Sequence, residues 1–596
     1  MQELRSDNAA CGGKLHLLGC QACRAHVRAA LAADWAPNGN LGADATSGSP
    51  DEEASCGTLL TPLHAVAANG QPECLRALVA LGAPVDTQDR NGRTAMHAAA
   101  QSGGTDCLRV LAELGGNLDA RDAAGPLPLH KAAEGGPSGS VRALVDLGAK
   151  VHAGSAGGST PLHLAAASGH EKCVRTLVEL GSSLEAKDRQ GLTALHHAAR
   201  LPYTACAEAL VELLAKVDSR SLDGASPLHC GAAAGQVSSI RFLVGAGAPV
   251  AAEDGQGRTA RHIAAGIGHE GCLRALEELG ADLEVRDAAG STAMHLSSKG
   301  GHDACVKMLA ELGANLEATD RNGCTPLHTS AGNGRPACVK ALAELGAGLE
   351  PKDCRDMSPT QLASENGHES CLRALADLGV NLGGLTDSEA TLLHLAASKG
   401  HESCCRALLQ LGADLRPKDN AENTSIHAAA ANGHASCLKA LVELGADLES
   451  GDSSGSTALH LAALAGRENC VQALAKLGAD LRATDSKERT VLHVAASCGY
   501  EACVWALVGH GGSLEASDNE GLTPLHDAAG NGHESCVRAL VELAANLEAA
   551  DEEGRTPLHF AVFKNHESCV RALAELGAGL EAADNKGRTP LHDAAG

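Results

Sequence analysis

The tetrapeptide Thr61-Pro62-Leu63-His64 decides the architecture of this 596-residue chain, because it returns at a fixed interval. Sixteen steps of 33 residues, without an insertion or a deletion, lead from Thr61 to the copy that begins at Thr589. Self-similarity at such a period is typical of repeat proteins, whose units bury their apolar faces by stacking on one another. The sequence therefore predicts sixteen complete units and a seventeenth that stops after eight residues.

One unit, residues 523–555, shows what each repeat encodes. Thr523 can cap a helix, and Pro524 suits the first helical turn. Gly532 ends this short helix, and residues 533–543 then place apolar side chains at helical spacing. The stretch Asp551-Glu-Glu-Gly554 predicts a tight turn before the next threonine. Each unit is thus a helix, a turn, a second helix and a projecting finger.

The recurring motifs resemble the ankyrin-repeat family: a Thr-Pro-Leu-His box, an Ala-Ala pair, Gly-His before the second helix, Leu-Gly-Ala after it, and Asp-x-x-Gly before the next box. The resemblance covers residues 58–596 and implies an all-α repeat solenoid, an ankyrin-repeat superhelix of helix-turn-helix units with short β-hairpin fingers. It also implies that each box histidine bonds to the box threonine and to nearby loop backbone. The box residues given this structural role include Thr61, Pro62, Leu63, His64, Thr160, His163, Thr325, His328, Thr523, His526, Thr556 and His559.

Three regions follow from the pattern. Residues 1–35 do not fit the repeat, although residues 26–35 favour a helical segment or a degenerate cap. Residues 36–57 show no periodicity and are typical of a flexible linker. Residues 58–596 form the repeat array, whose last unit stops inside a first helix. We interpret this stop as a truncation, a splice variant, or a point from which further chain continues.

Composition and charge exclude several classes of partner. The chain has only 2 Trp, 2 Tyr and 3 Phe, too few to provide stacking platforms for single-stranded nucleic acid. Its net charge of −25 repels a phosphate backbone and favours basic proteins or peptides as partners. Because no secretory signal or membrane span is recognisable, we expect a soluble, monomeric array in the cytoplasm or nucleus, neither secreted nor inserted in a membrane.

The histidines and cysteines are mostly periodic, which indicates architecture rather than chemistry. Of 29 histidines, 24 lie at the box or at the start of the second helix, and 14 of 23 cysteines share one core position. We expect these thiols to be reduced and buried, with no metal and no cofactor. Cys20 and Cys23 carry a weak metal or lipidation signal, and Cys324 and Cys354 could form a redox pair or be ordinary surface thiols.

Departures from the period are where partner-specific information is expected, because stacking alone does not require them. Acidic residues replace the fingertip glycine at Asp356, Glu389, Glu422 and Glu488. They are solvated charges or a ridge that docks a basic segment. Aromatic residues gather in repeats fourteen to sixteen: Tyr500, Trp505, Phe560 and Phe563. Packing and binding are both open for the two phenylalanines, and Trp505 takes a position that Arg or Lys usually holds.

No phosphate loop, nucleophile elbow, kinase signature or zinc-protease helix is present in the sequence. We therefore expect a non-catalytic scaffold or adaptor that binds proteins through the concave groove and the finger ridge. The alternative is the regulatory or targeting region of a larger enzyme, ubiquitin-ligase adaptor or channel whose effector domain lies beyond residue 596.

Overall fold

The computed structural model describes residues 61–383 and 389–594. The predictions for residues 1–35 and 36–57, including the signal at Cys20 and Cys23, lie outside the described residues. Within the described ranges the chain forms 33 helices, two in each of sixteen repeats and one in the seventeenth. The predicted order of helix, turn, helix and finger is confirmed in the complete repeats, apart from the finger of repeat ten, which includes residues 384–388 outside the described ranges.

The first helices of the repeats are α1 (Pro62–Ala68), α3 (Ala95–Ser102), α5 (Pro128–Gly135), α7 (Pro161–Ala167), α9 (Ala194–Ala199), α11 (Pro227–Ala233), α13 (Ala260–Ile267), α15 (Ala293–Gly300), α17 (Pro326–Gly332), α19 (Pro359–Glu365), α21 (Leu392–Lys399), α23 (Ser425–Asn432), α25 (Ala458–Leu464), α27 (Val491–Ser497), α29 (Pro524–Gly530), α31 (Pro557–Phe563) and α33 (Pro590–Ala594). The second helices are α2 (Pro72–Ala80), α4 (Thr105–Glu113), α6 (Ser138–Asp146), α8 (Glu171–Glu179), α10 (Ala205–Glu212), α12 (Val237–Gly245), α14 (Glu270–Glu278), α16 (Asp303–Glu311), α18 (Pro336–Glu344), α20 (Glu369–Asp377), α22 (Glu402–Gln410), α24 (Ala435–Glu443), α26 (Glu468–Lys476), α28 (Glu501–Gly509), α30 (Glu534–Glu542) and α32 (Glu567–Glu575).

The helices group into two compact units. The first contains the described residues up to Ala264 together with His269–Asp282, and the second contains Ala265–Gly268 and the residues from Leu283 onward. Within each unit, first helices pack on the first helices of adjacent repeats and second helices on second helices. Small aliphatic side chains and thiols fill the layer between them, as Ala99 and Leu108 do in the first unit and Leu540 does in the second.

The recurring cysteine belongs to this core. None of these fourteen thiols forms a disulfide, and all except Cys74 are buried. Burial raises the pKa of twelve of them, to about 11 for Cys173 and to about 12 for Cys338 and Cys536. The thiols are therefore protonated at neutral pH and pack as small apolar groups.

The box histidine joins its own repeat to the next one. Its Nδ1 accepts the backbone N–H of the box threonine, at 3.0 Å for Thr94 and His97. In fourteen repeats its Nε2 lies 2.6–3.2 Å from the backbone carbonyl 29 residues later, just before the next box. Because a carbonyl can only accept, Nε2 carries the proton and the imidazole is neutral.

Most fingers close around an aspartate. The N–H groups of Asn91 and Arg93 donate to Oδ1 of Asp89 at 2.9 Å, and the Arg93 guanidinium contacts Oδ2. The Asp89 N–H donates to the Arg93 carbonyl at 2.8 Å. The hairpin is too short to hold a regular strand, and only one antiparallel bridge, Thr484 with Thr490, forms within the described residues. The implied hairpin fingers are therefore tight turns.

The fingertip glycine allows adjacent fingers to approach each other closely. Gly92 has a φ of +71°, and a Cβ added there would lie 2.7 Å from the backbone nitrogen of Ala123 in the next finger. The Ala123 N–H donates to the Asn91 carbonyl at 2.8 Å, so the two fingertips touch through backbone alone. Glycine meets both the left-handed conformation and the close approach.

One buried charge interrupts the core of the first unit. Arg261 stands at the third box position, where Met96 and Met294 occur in other repeats, and is only 2% exposed. Its Nη2 donates to the Glu277 carboxylate at 2.6 Å and to the Ala281 carbonyl at 2.9 Å. Its Nε and Nη1 atoms are buried and have no partner among the described residues. Unsatisfied buried donors of a charged group destabilise the fold.

We expect Arg261→Met to stabilise the protein. Methionine fits this position in two other repeats, and Glu277 is exposed enough to be hydrated once the arginine is gone. Replacing a buried ion pair by a well-packed apolar side chain is neutral or stabilising by about 1–4 kcal/mol. The urea midpoint, followed by circular dichroism, should rise, whereas the reciprocal control Met294→Arg should lower it. A lower midpoint for Arg261→Met would contradict this interpretation.

Acid should destabilise the array through its box histidines. Burial lowers the pKa of twelve of them, to about 4 for His196. The unfolded chain therefore binds more protons, so stability is complete above about pH 6.5 and falls as the pH drops toward the folded pKa. Each such histidine contributes up to about 1.4 kcal/mol per pH unit.

The urea midpoint should therefore be lower at about pH 5.5 than at about pH 7.5. His196→Gln is the matched control, because Gln361 already occupies the box position of repeat ten, where its Oε1 accepts the Ser358 N–H at 2.7 Å. The urea midpoint of this variant should decrease less on acidification than that of the wild type. A midpoint that rises toward pH 5.5 would exclude the histidines as the source of the pH dependence.

Candidate protein-binding surfaces

The first helices present one side that stacking covers only in part. We call this side the groove face; it carries the fourth and seventh residues after each box threonine. The fourth residue lies beside the aspartate of its own finger. In repeat three, Lys131 Nζ is 3.8 Å from the Asp122 carboxylate, and in repeat five His197 Nε2 is 3.0 Å from Asp188. A cation at this register is thus neutralised within the chain.

Repeat fifteen places an acid at the same register. Asp527 is the fourth residue after Thr523, so it faces Asp518 of the finger. Its Oδ2 atom is buried and has no hydrogen-bond partner among the described residues. Burial, followed by the charge of Asp518, raises the pKa of Asp527 to about 7. The groove face therefore holds two neighbouring acids, neither of them in an ion pair with another described residue. The Arg489 guanidinium, which opposes this rise in the pKa of Asp527, is itself paired with Asp485.

The two phenylalanines of α31, in the next repeat, differ in exposure. The Phe560 ring is half-buried and contacts the edge of the His526 ring, with centroids 5.5 Å apart. The Arg555 guanidinium lies 4.6 Å from the Phe560 centroid. Phe563 is 68% exposed, with Lys564 Nζ 5.7 Å from its ring. Phe560 packs against the preceding repeat, whereas Phe563 offers its ring to solvent.

Phe563 also lines an open cleft with apolar residues of repeats sixteen and seventeen. Leu580 and Leu591, both on this cleft, are 52% and 63% exposed. We define the groove patch as Asp518, Asp527, Phe560 and Phe563. It combines an exposed aromatic ring with two acids that form no ion pair with another described residue, and such groups can recognise cationic side chains.

Tyr500 and Trp505 do not join the groove patch. Tyr500 precedes α28 at the position that histidine holds in other repeats, and its ring lies against the turn at Gly466. Trp505 belongs to α28, a second helix, and is 38% exposed. Its indole N–H donates to the Glu501 carboxylate at 3.4 Å. The structure thus separates the four aromatic residues that the sequence groups together.

The four fingertip acids all adopt the left-handed conformation of the glycine they replace, with φ from +58° to +60°. Lysines of the same fingers lie near two of them: Lys352 is 3.6 Å from Asp356, and Lys418 is 3.3 Å from Glu422. Glu389 and Glu488 are exposed and form no ion pair with another described residue. The finger ridge, defined as these four acids, thus has two neutralised and two open positions.

Comparison with known proteins places the chain in a family. A family model described as "Ankyrin repeats (3 copies)" matches eleven overlapping segments that run without a gap from residue 41 to residue 596: 41–122, 63–155, 129–221, 181–254, 206–287, 247–320, 262–353, 347–419, 393–485, 476–551 and 544–596. This protein therefore belongs to the ankyrin-repeat family, whose members are generally protein-interaction modules, and whose fold is typically non-catalytic.

Some solved structures are also similar to this chain. Matches extend to 524 chains, among them the ankyrin repeat domain of human ASB11. That domain is 30% identical, is covered over 99% of its length, matches 37% of this chain, and superposes with a TM-score of 0.35. No curated protein matches the chain.

The described residues contain neither a membrane-spanning helix nor a cluster of metal ligands. None of the helices there is long and apolar enough to cross a membrane. In residues 61–383 and 389–594, no group of three or more His, Cys, Asp or Glu side chains is arranged to hold a metal ion.

Sequence analysis missed the Asp527–Asp518 pair. Each aspartate is unremarkable alone, since acids are common in both fingers and helices. The signal becomes visible only when the fourth residue after each box is compared across repeats, because Lys131 and His197 then appear opposite a finger aspartate and Asp527 does not fit the series.

The phenylalanines should differ in their effect on stability. Phe560→Ala removes a half-buried ring from its contacts with His526 and Arg555, and should cost about 1–2 kcal/mol of unfolding free energy. Phe563→Ala removes a largely exposed ring and should change stability by about 0.5 kcal/mol or less. Urea unfolding followed by circular dichroism measures both. Equal losses would show that Phe563 packs as tightly as Phe560.

Proposed function

We propose that this chain is a non-catalytic scaffold or adaptor that binds partner proteins carrying basic segments, through the groove face and the finger ridge. The observation that carries the proposal is the groove patch, where Asp527 and Asp518 form no ion pair with another described residue and the Phe563 ring of the next repeat is exposed. Two other repeats place a cation at this register, Lys131 and His197, beside the aspartate of the finger. A lysine or arginine of a partner would supply the same neutralisation from outside.

The chemistry of the patch favours a basic partner. A cation entering between Asp527 and Asp518 relieves their mutual repulsion, and a neighbouring cation stacks on the Phe563 ring. The net charge of −25 adds long-range attraction for basic proteins. The open positions of the finger ridge, Glu389 and Glu488, extend the acidic surface to other repeats.

We also propose that the chain acts as a single-chain array in the cytoplasm or nucleus. The described cysteines form no disulfide, and Cys354 is exposed. Free thiols at this number are typical of a reducing compartment.

Asp527→Lys is the variant that tests the groove patch. The new lysine copies Lys131 and should pair with Asp518, so the fold should be kept or stabilised while the site is closed. Affinity capture from native lysate, quantified by mass spectrometry, should retain basic partners on the wild-type protein and lose them about tenfold on Asp527→Lys and on Phe563→Ala. Ala428→Lys adds positive charge at the same register of repeat twelve and should leave capture unchanged.

The finger ridge is tested with the double variant Glu389→Gly and Glu488→Gly, which restores the usual fingertip residue. Glycine accepts the positive φ, so each change should raise stability by about 0.5–1 kcal/mol. Capture of ridge-bound partners should fall although the urea midpoint rises. Unchanged capture by both the ridge and groove variants would refute the proposed function.

A further inference from the structure

A row of ion pairs joins successive second helices within each unit. In eight places the fifth residue of a second helix is a cation that bonds to the acid at the last position of the next second helix. The pairs are Arg76–Glu113, Arg142–Glu179, Arg175–Glu212, Arg241–Glu278, Arg406–Glu443 and Arg538–Glu575 at 2.5–2.8 Å, with Lys307–Glu344 and Lys340–Asp377 at 3.9 Å. We call this row the outer ladder.

In three repeats the arginine of the outer ladder is held by two carboxylates. Arg406 donates from Nε to Glu402, one turn earlier in α22, at 2.9 Å, and from Nη2 to Glu443 of α24 at 2.7 Å. Arg175 and Arg538 are held in the same way. The two acids, one from each of two adjacent helices, thus form a cradle whose spacing fits one guanidinium.

Repeat fourteen keeps both acids of this cradle and lacks the arginine. Glu501 is the first residue of α28 and Glu542 the last residue of α30, the positions of Glu402 and Glu443 in repeats eleven and twelve. The fifth residue of α28 is Trp505. Both carboxylates are exposed, and Glu542 forms no hydrogen bond or ion pair with another described residue. Glu501 contacts the Trp505 indole N–H at 3.4 Å.

Other interruptions of the outer ladder do not leave such a cradle. Gln472 is followed by Gly509 at the acid position, and Lys439 is followed by Lys476. The surface around Trp505 is also open, since Gly509, one turn further along α28, has no heavy atom near the place of a Cβ. The ring can therefore be approached from solvent.

We propose that Glu501, Trp505 and Glu542, the Trp505 cradle, form a docking site for an arginine side chain of a partner protein. The guanidinium lies on the indole ring and donates to both carboxylates, as Arg406 and Arg538 do within the chain. Arginine fits better than lysine because its planar fork reaches two carboxylates while its face stacks on the ring. The site belongs to the second helices and is separate from the groove patch, so it extends the proposed function to another surface.

Trp505→Arg tests the proposal, because it places an arginine of the chain itself in the cradle. The variant should fold and be at least as stable as the wild type, since it restores the arrangement of Arg538. A short, fluorescently labelled arginine-rich peptide serves as the probe, with anisotropy at low salt as the measurement. Trp505→Arg and Glu542→Gln should each weaken peptide binding by about tenfold. The same peptide with citrulline in place of arginine should bind the wild type about tenfold more weakly.

Matched controls separate docking from general attraction to an acidic protein. Gln472→Arg adds the same charge at the same position one repeat earlier, and Glu575→Gln removes an acid that Arg538 already neutralises. Both should keep wild-type affinity. Equal losses in controls and cradle variants, or full binding by Trp505→Arg, would overturn the proposal. Sedimentation would also overturn the proposal if the wild type self-associated without a partner and Trp505→Arg abolished this self-association. The occupant of the cradle would then be a second copy of the chain. Variants of the groove patch leave the Trp505 cradle intact, so failure of the proposed function can be distinguished from failure of the arginine docking site.

Discussion

The rest of the structure depends on the two hydrogen bonds made by the neutral imidazole of the box histidine. Its Nδ1 accepts from the N–H at the start of its own first helix, and its Nε2–H donates to the carbonyl that closes the next finger. One ring therefore fixes both the helix and the position of the following repeat. Because this link recurs at constant spacing, the registers of the groove face, the finger ridge and the outer ladder persist along each unit. A surface position in one repeat can then be compared directly with its counterparts.

The helices were predictable because their signal is local and repeated. The start of α29 is indicated by Thr523 and Pro524, and its end before α30 by Gly532. Sixteen copies of this pattern remove the ambiguity between helix and strand that a single short apolar run would leave. The exposure of the aromatic residues was not predictable in this way. Phe560 and Phe563 lie on the same helix three residues apart, but only Phe560 rests on His526 of the preceding repeat. That contact depends on how adjacent repeats meet, which the sequence of one repeat does not specify.

Departures from the period have different physical meanings, and the structure distinguishes them. Arg261 replaces an apolar core residue and leaves two buried donors without partners, so it costs stability and offers nothing to a ligand. Tyr500 replaces a turn histidine and packs its ring on the preceding turn. Trp505 replaces a cation that in other repeats neutralises an acid of the chain, and Asp527 takes a register at which two repeats have a cation. The first two changes are absorbed inside the fold, whereas the last two leave acids that form no ion pair with another described residue.

The Trp505 cradle differs from the other positions at which the outer ladder is interrupted. At Gln472 and Gly509 the cation and its acid are both gone, and at Lys439 and Lys476 both are lysines, so no carboxylate there awaits a partner. At Trp505 only the cation is gone, and two carboxylates remain at a spacing that holds a guanidinium in three other repeats. Their repulsion is unfavourable in the free protein and is relieved when a cation enters. The Asp527–Asp518 pair on the groove face follows the same logic. In both places the chain supplies one half of an interaction that it completes internally elsewhere, and the missing half defines the chemistry of the partner.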